Sequence, residues 1–430
     1  MSESLTRTNK YDLLLMPMAL FIILWLNYGC FTAVMPVIPS PARWMIYLSW
    51  LLFACLCNAK FLRRFIIMLS PLLAFYVIIL IGYLNARDGN RLYLNNIAYL
   101  IMVYSIFLYY HDERYLKFQR FMAVILILDY IAVGINTYIQ LGINPLVARY
   151  LSTTPDLEQT LLNNQSITAI GNYGYFYSLA ALILLLCFAF INFHKNKMIA
   201  ALLIAGFTML LIKASFTIAI IVTFLFLIIL FISSIKTRVS KLFCILIIFI
   251  VFLVFIGYVS AFFEYLSKIS WISKEVAVRF DELSQFFSGN DIGQTDLYSR
   301  QQLFLISWNT FLNNPLVGIF GSDMGGYSVV GGHSSWMDML AAWGLGCLPF
   351  FIFLFNAYRY AVNSVQKKFK TIINVYWLYF IVLGVINTLL ISDIYVMWFL
   401  FLPFMLSALS TPQEINLSQT AIEQERGLGS

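Results

Sequence analysis

The stretch from Gly331 to Gly346 reads GGHSSWMDMLAAWGLG, placing a histidine, two serines and an aspartate before an apolar run. An imidazole with an ordinary pKa near 6.5 is the natural general base at neutral pH. His333 is one of only three histidines; the others are His111 in YYHDER and His194 in FHKNK. A histidine at the lip of an apolar helix has two readings: a base, or a polar residue seated at a membrane interface. Ser335 and Asp338 have the S-x-x-D spacing of a capping box, so Asp338 reads first as a helix cap and second as a partner for His333, with Ser334 in support. Gly331 and Gly332 let the preceding backbone turn tightly. The helix start that follows favours anions.

Cations are the second ingredient. The segment TDLYSRQQLFLISWNTFLNNPLVGIFG reads as an amphipathic helix, capped by Thr295 or Asp296 and ended by Asn313, Asn314 and Pro315. Arg300, Phe304, Ser307 and Phe311 share one face by 3–4 spacing, and Tyr298 lies in the first turn. Arg300 either snorkels or pairs with Asp281 or Glu282, or it grips a phosphate with both prongs of its guanidinium. Lys213, in LLIKASFT, either snorkels or adds a second positive charge. Arg149 and Arg279 are ordinary loop charges or further phosphate contacts. The six cysteines lie within apolar runs, without a C-x-x-C pair or a neighbouring histidine, and read as packing residues. No cluster of His, Asp and Glu has the spacing of a metal site. A base and several cations, with no metal and no cofactor, can take up a proton and hold an anion such as a phosphate.

These residues must be held by membrane helices. The 430-residue chain is 61% hydrophobic and 11% charged, with a mean hydropathy of +0.83. A soluble domain has about 25% charged residues. The pattern predicts an all-α polytopic membrane protein, with about twelve spans at 13–35, 43–58, 65–84, 92–110, 118–141, 167–193, 198–213, 216–235, 242–262, 335–357, 371–390 and 394–410. Alternate connections carry 18 and 9 of the 27 lysines and arginines. The richer set belongs in the cytoplasm, which places both termini there. The net charge of +7 then needs no nucleic acid partner. Two polar loops fall on the outer side, at 142–166 and at 263–334. The chain reads as one transmembrane domain over 1–410, with the catalytic loop at about 263–334. Residues 411–430 read as a disordered cytoplasmic tail.

Arg300 opening a helix, Trp308, NNPLVGIFG, and H-S-x-x-x-D-x-L-A-x-x-G from His333 together resemble the Wzy-type O-antigen or capsular polysaccharide polymerases, relatives of the O-antigen ligases. The resemblance covers about residues 298–350. It implies a metal-independent inverting glycosyltransferase of the bacterial inner membrane, joining undecaprenyl-diphosphate-linked glycans, donor to acceptor, at the periplasmic face. His333 would be the essential histidine and Arg300 the late-loop arginine. A chain-length regulator would be a partner. Family members often carry a further arginine in an S-R pair between two middle helices. That place reads Ala214-Ser215-Phe216 here, leaving Lys213 or Arg279 to stand in for it. The H-S-x-x-x-D form favours polymerase over ligase, whose histidine more often precedes asparagine. A transporter or flippase is the reading from a different class; its paired halves find no match here, because the first half has no counterpart to the large loop.

Overall fold

The computed structural model describes residues 12–27, 29–30, 37–85, 87–153, 169–193, 197–235, 237, 239–244, 246–247, 258–269, 274–288, 296–320 and 329–409. Every regular element among them is helical. In chain order the helices are α1 (Asp12–Leu26), α2 (Ser40–Cys57), α3 (Ala59–Asn85), α4 (Arg87–Tyr110), α5 (Leu116–Ile143), α6 (Val147–Thr153), α7 (Tyr173–Asn192), α8 (Lys197–Lys213) and α9 (Thr217–Ser234). They continue as α10 (Val259–Ser267), α11 (Lys274–Ser288), α12 (Asp296–Asn313), α13 (Ser335–Trp343), α14 (Leu348–Asn363), α15 (Lys370–Ile386), α16 (Ser392–Val396) and α17 (Leu402–Leu409). Among the described residues, nine helical segments are long and apolar enough to cross a bilayer, the architecture of a polytopic membrane protein.

The nine coincide with the second to sixth, eighth and tenth to twelfth spans expected from hydropathy. The seventh is the 17-residue α8, and much of the ninth lies outside the described residues, as does the tail from 410 onward. The loop expected over 263–334 holds α11 and α12 and most of α10, not one helix alone. The 142–166 loop begins with α6, and its residues 154–168 lie outside the described residues.

The first span departs from expectation for a physical reason. Among the described residues, helix α1 runs for 15 residues, about 22 Å of rise, and ends at Leu26 rather than continuing toward residue 35. Its end is held by Asp129 of α5. The Asp129 carboxylate accepts from Asn27 Nδ2 and from the Cys30 backbone N–H, both at 2.8 Å. Gly29 lies against the same carboxylate so closely that a Cβ there would fall 1.7 Å from Oδ2. Backbone that leaves a helix inside a membrane must find its hydrogen bonds within the protein, and Asp129 supplies one of them, to the Cys30 N–H.

Helix α7 is the most enclosed span, and α8, α9 and α16 pack around it. Packing between these helices relies on close fit, since lipid is as apolar as the side chains. Trp336 of α13 illustrates this: it lies against Gly384 of α15, where a Cβ would meet the indole at 2.0 Å, and its Nε1 donates to Ile381 O at 2.8 Å. The final span is α16, a π-helical turn at Met397–Phe401, and α17. Trp398 in that turn stacks on Tyr379 at 5.8 Å and donates to Tyr376 O at 3.1 Å.

Candidate functional site

The site is assembled from α12, the loop before α13, the α15–α16 connection, the first turns of α7 and the α8–α9 turn. Its framework is a hydrogen-bonded clasp. Ser334 is the N-cap of α13, its Oγ accepting from Met337 N at 3.4 Å. The Ser334 backbone N–H donates to Asp338 Oδ2 at 2.9 Å. Asp338 Oδ1 accepts from Ser307 Oγ on α12 at 2.6 Å, and Ser307 Oγ in turn accepts from Gly331 N at 2.9 Å. All three side chains are buried. Asp338 therefore caps its own helix and also binds it to the helix that carries Arg300.

The cap falls one residue earlier than the sequence spacing implies. Ser335 is drawn into tertiary bonds instead: its N–H donates to Asn387 O at 3.1 Å, and its Oγ accepts from Leu389 N at 2.6 Å. Either serine fits the local pattern, and the α15–α16 connection selects between them. The two glycines before His333 have distinct roles. A Cβ on Gly331 would lie 2.1 Å from Leu303 O, so α12 and the loop meet backbone to backbone. Gly332 has φ +77, the left-handed region that favours glycine.

His333 is half-buried at the edge of this clasp. The residue before it is fixed by Thr388 Oγ1, which donates to Gly332 O at 2.9 Å. Arg300, also half-buried, donates from Nη1 to Asn387 Oδ1 at 3.4 Å. Asn387 is 2% exposed, and its Nδ2 donates to the Tyr177 hydroxyl of α7. The histidine loop and Arg300 thus meet at one segment, Asn387–Leu389. The face of α12 that meets the loop carries Arg300, Leu303 and Ser307, the 3–4 spacing of one helical stripe.

A second arginine reaches the same place from elsewhere in the chain. Arg149 of α6 donates from Nη2 to Ser215 O at 2.8 Å, across 66 residues. Ser215 has φ +62 in the tight α8–α9 turn. The next residue, Phe216, stacks on Phe176 at 4.5 Å and stands 6.4 Å from both Tyr173 and Tyr177. This packing brings the turn, and Arg149 with it, to the head of α7. The guanidinium groups of Arg149 and Arg300 both lie within electrostatic reach of the Tyr177 hydroxyl.

The remaining cations are held elsewhere. Lys213 Nζ donates to Tyr138 O at 3.1 Å and sits 3.7 Å above the Tyr138 ring centroid. Arg279 pairs with Glu282 at 2.7 Å within α11, and Asp281 accepts from Gln285 Nε2 at 2.7 Å. Tyr298 lies in the first turn of α12, with its side chain outside the described residues. The sequence reading missed Asn387, Thr388, Tyr173 and Tyr177. The only signal for the first two was a polar pair inside the apolar run expected at 371–390, where α15 in fact ends at Ile386. Arg300 and Arg149, both within electrostatic reach of Tyr177, can hold a multiply charged anion, and the loop bonded to Asn387–Leu389 carries a histidine that can accept a proton. No protein-family model matches the chain, and no curated protein matches it.

Proposed function

We propose that the chain is a glycosyltransferase that polymerises undecaprenyl-diphosphate-linked repeat units at the periplasmic face of a bacterial inner membrane. The observation that carries this reading is the meeting of the His333 loop, Arg300 and Arg149 around Asn387 and Tyr177. The split of positive charge along the chain supports the orientation, with the site on the periplasmic side and both termini in the cytoplasm.

The chemistry follows from these groups. An acceptor sugar hydroxyl attacks the anomeric carbon of the donor glycan. His333 takes the hydroxyl proton as the new C–O bond forms and passes it to water. The bond from that carbon to the diphosphate oxygen breaks, and the diphosphate leaves with the electron pair. Arg300 and Arg149 meet the charge that grows on the leaving diphosphate. Attack opposite the leaving group inverts the anomeric centre. Two guanidinium groups suit this role because each presents a planar fork of donors to a phosphate. Lys213 and Arg279, committed to Tyr138 and Glu282, stand behind Arg149 as candidates for the second cation.

Lipopolysaccharide from a strain lacking the gene separates this reading from its rival. Loss of a polymerase leaves lipid A–core capped by a single repeat unit. Bare core, with long glycan still on the undecaprenyl carrier, would overturn the proposal in favour of a ligase.

A further inference from the structure

The Arg300 side chain is long, and its charge is useful only if aimed. Its planar fork loses less rotamer freedom per bond when it is pre-organised. A carboxylate would hold the guanidinium firmly, yet it would also neutralise the charge an anion needs. One partner of Arg300 Nη1 is a neutral acceptor, Asn387 Oδ1. The other end of the same amide donates to Tyr177, which directs the oxygen toward Arg300. The Asn387 backbone carbonyl accepts from Ser335 N, two residues after His333, and the neighbouring Thr388 holds Gly332, one residue before it. One buried residue therefore contacts the cation, the phenol and the histidine loop.

We propose that Asn387 is a positioning residue: its amide aims the Arg300 guanidinium at the substrate's diphosphate without neutralising it, and its main chain fixes the distance to His333. This rests on the reading of Arg300 as a diphosphate contact. The conservative replacement Asn387→Asp is the informative one, because it preserves shape while adding the charge that quenches Arg300 and removing the donor to Tyr177.

The test is a double-mutant cycle on the full chain in nanodiscs, with inorganic pyrophosphate as the probe and binding followed by calorimetry. Arg300→Ala, Asn387→Asp and the double variant are compared with the unmodified protein. Asn387→Asp is expected to weaken pyrophosphate binding about tenfold or more, close to 1.4 kcal/mol. The double variant is expected to bind no worse than Arg300→Ala alone, since Asn387 acts through that arginine. Losses that multiply in the double variant would overturn the proposal, as would an Asn387→Asp protein that binds as tightly as the original. Asn387→Ser, which keeps an uncharged acceptor, is expected to lose less than Asn387→Asp; an equal loss would assign the residue to folding alone. If Arg300→Ala leaves pyrophosphate binding unchanged, the diphosphate reading of Arg300 itself has failed, and this proposal falls with it. A failure of polymerisation with the binding pattern intact would refute only the polymerase reading.

Discussion

Replacing Asp338 by alanine tests whether the clasp between α12 and α13 holds the site together. The carboxylate is 4% exposed and accepts from Ser307 Oγ at 2.6 Å and Ser334 N at 2.9 Å. A hydrogen bond to a charged group contributes about 1.5–3 kcal/mol. Removing both acceptors, and leaving a buried hydroxyl and a helix-cap N–H without them, should cost about 3–6 kcal/mol. Asparagine at the same position costs less. Its oxygen can keep Ser334 N, while its amide donates to Ser307 Oγ after the hydroxyl rotates, so the loss is about 1–2 kcal/mol, near that of one neutral bond. Equilibrium unfolding in mixed micelles with a rising fraction of SDS would rank the variants. The expected order is native, then Asp338→Asn, then Asp338→Ala. Polymer formation should follow the same order, because α12 carries Arg300. An alanine variant within about 1 kcal/mol of the native protein would refute the clasp, since no exchange of two buried charged hydrogen bonds is that small.

Other expectations follow from single contacts. Gly29→Ala drives a Cβ into the Asp129 carboxylate, at 1.7 Å from Oδ2, and should destabilise the protein in the same unfolding assay about as much as Asp129→Ala; a neutral Gly29→Ala would remove Asp129 as the support of the α1 terminus. Arg300→Lys keeps the charge but loses the planar fork, so polymerisation should fall at least tenfold, about 1.4 kcal/mol of barrier; full activity in the lysine variant, with alanine inactive, would show that only a point charge is needed. His111 packs on Phe107 at 4.8 Å and Tyr360 at 5.4 Å. Burial pushes its imidazole down to about 4, with Arg64 adding to the effect and Asp112 opposing it. The unfolded chain therefore binds the proton first. The stability supplied by neutral His111 is complete above about pH 6.5 and is lost as the pH falls toward 4. His111→Phe should flatten stability over that window, and an unchanged acid profile would show that His111 does not contribute to it.

Hydropathy made most of the spans legible, because twenty apolar residues are long enough to announce a bilayer crossing on their own. It did not register where α1 stops. The residues after Leu26 remain apolar enough to continue a helix, and the group that ends it, Asp129, lies 99 residues beyond Cys30. Composition cannot carry such a contact. The capping pattern before α13 was readable as a pattern but not in register, since Ser334 and Ser335 are chemically alike and the choice belongs to the α15–α16 connection. His333 and Arg300 stood out by residue type. Arg149 looked like any loop charge, and only the α8–α9 turn, docked through Phe216, brings it to Tyr177. Asn387 was hidden because an amide inside an apolar run has no local signature of what it faces.

Reconstitution tests whether a histidine base and arginines work here in place of a metal. The purified protein is placed in proteoliposomes with undecaprenyl-diphosphate-linked repeat units and excess EDTA, and the lipid-linked products are separated by length. The native protein is expected to give a ladder of lengthening glycans, and His333→Ala, at equal insertion, a loss of roughly 10²–10⁴-fold. A ladder that vanishes with chelator and returns with Mg²⁺ or Mn²⁺, or one made equally well by His333→Ala, would contradict that expectation.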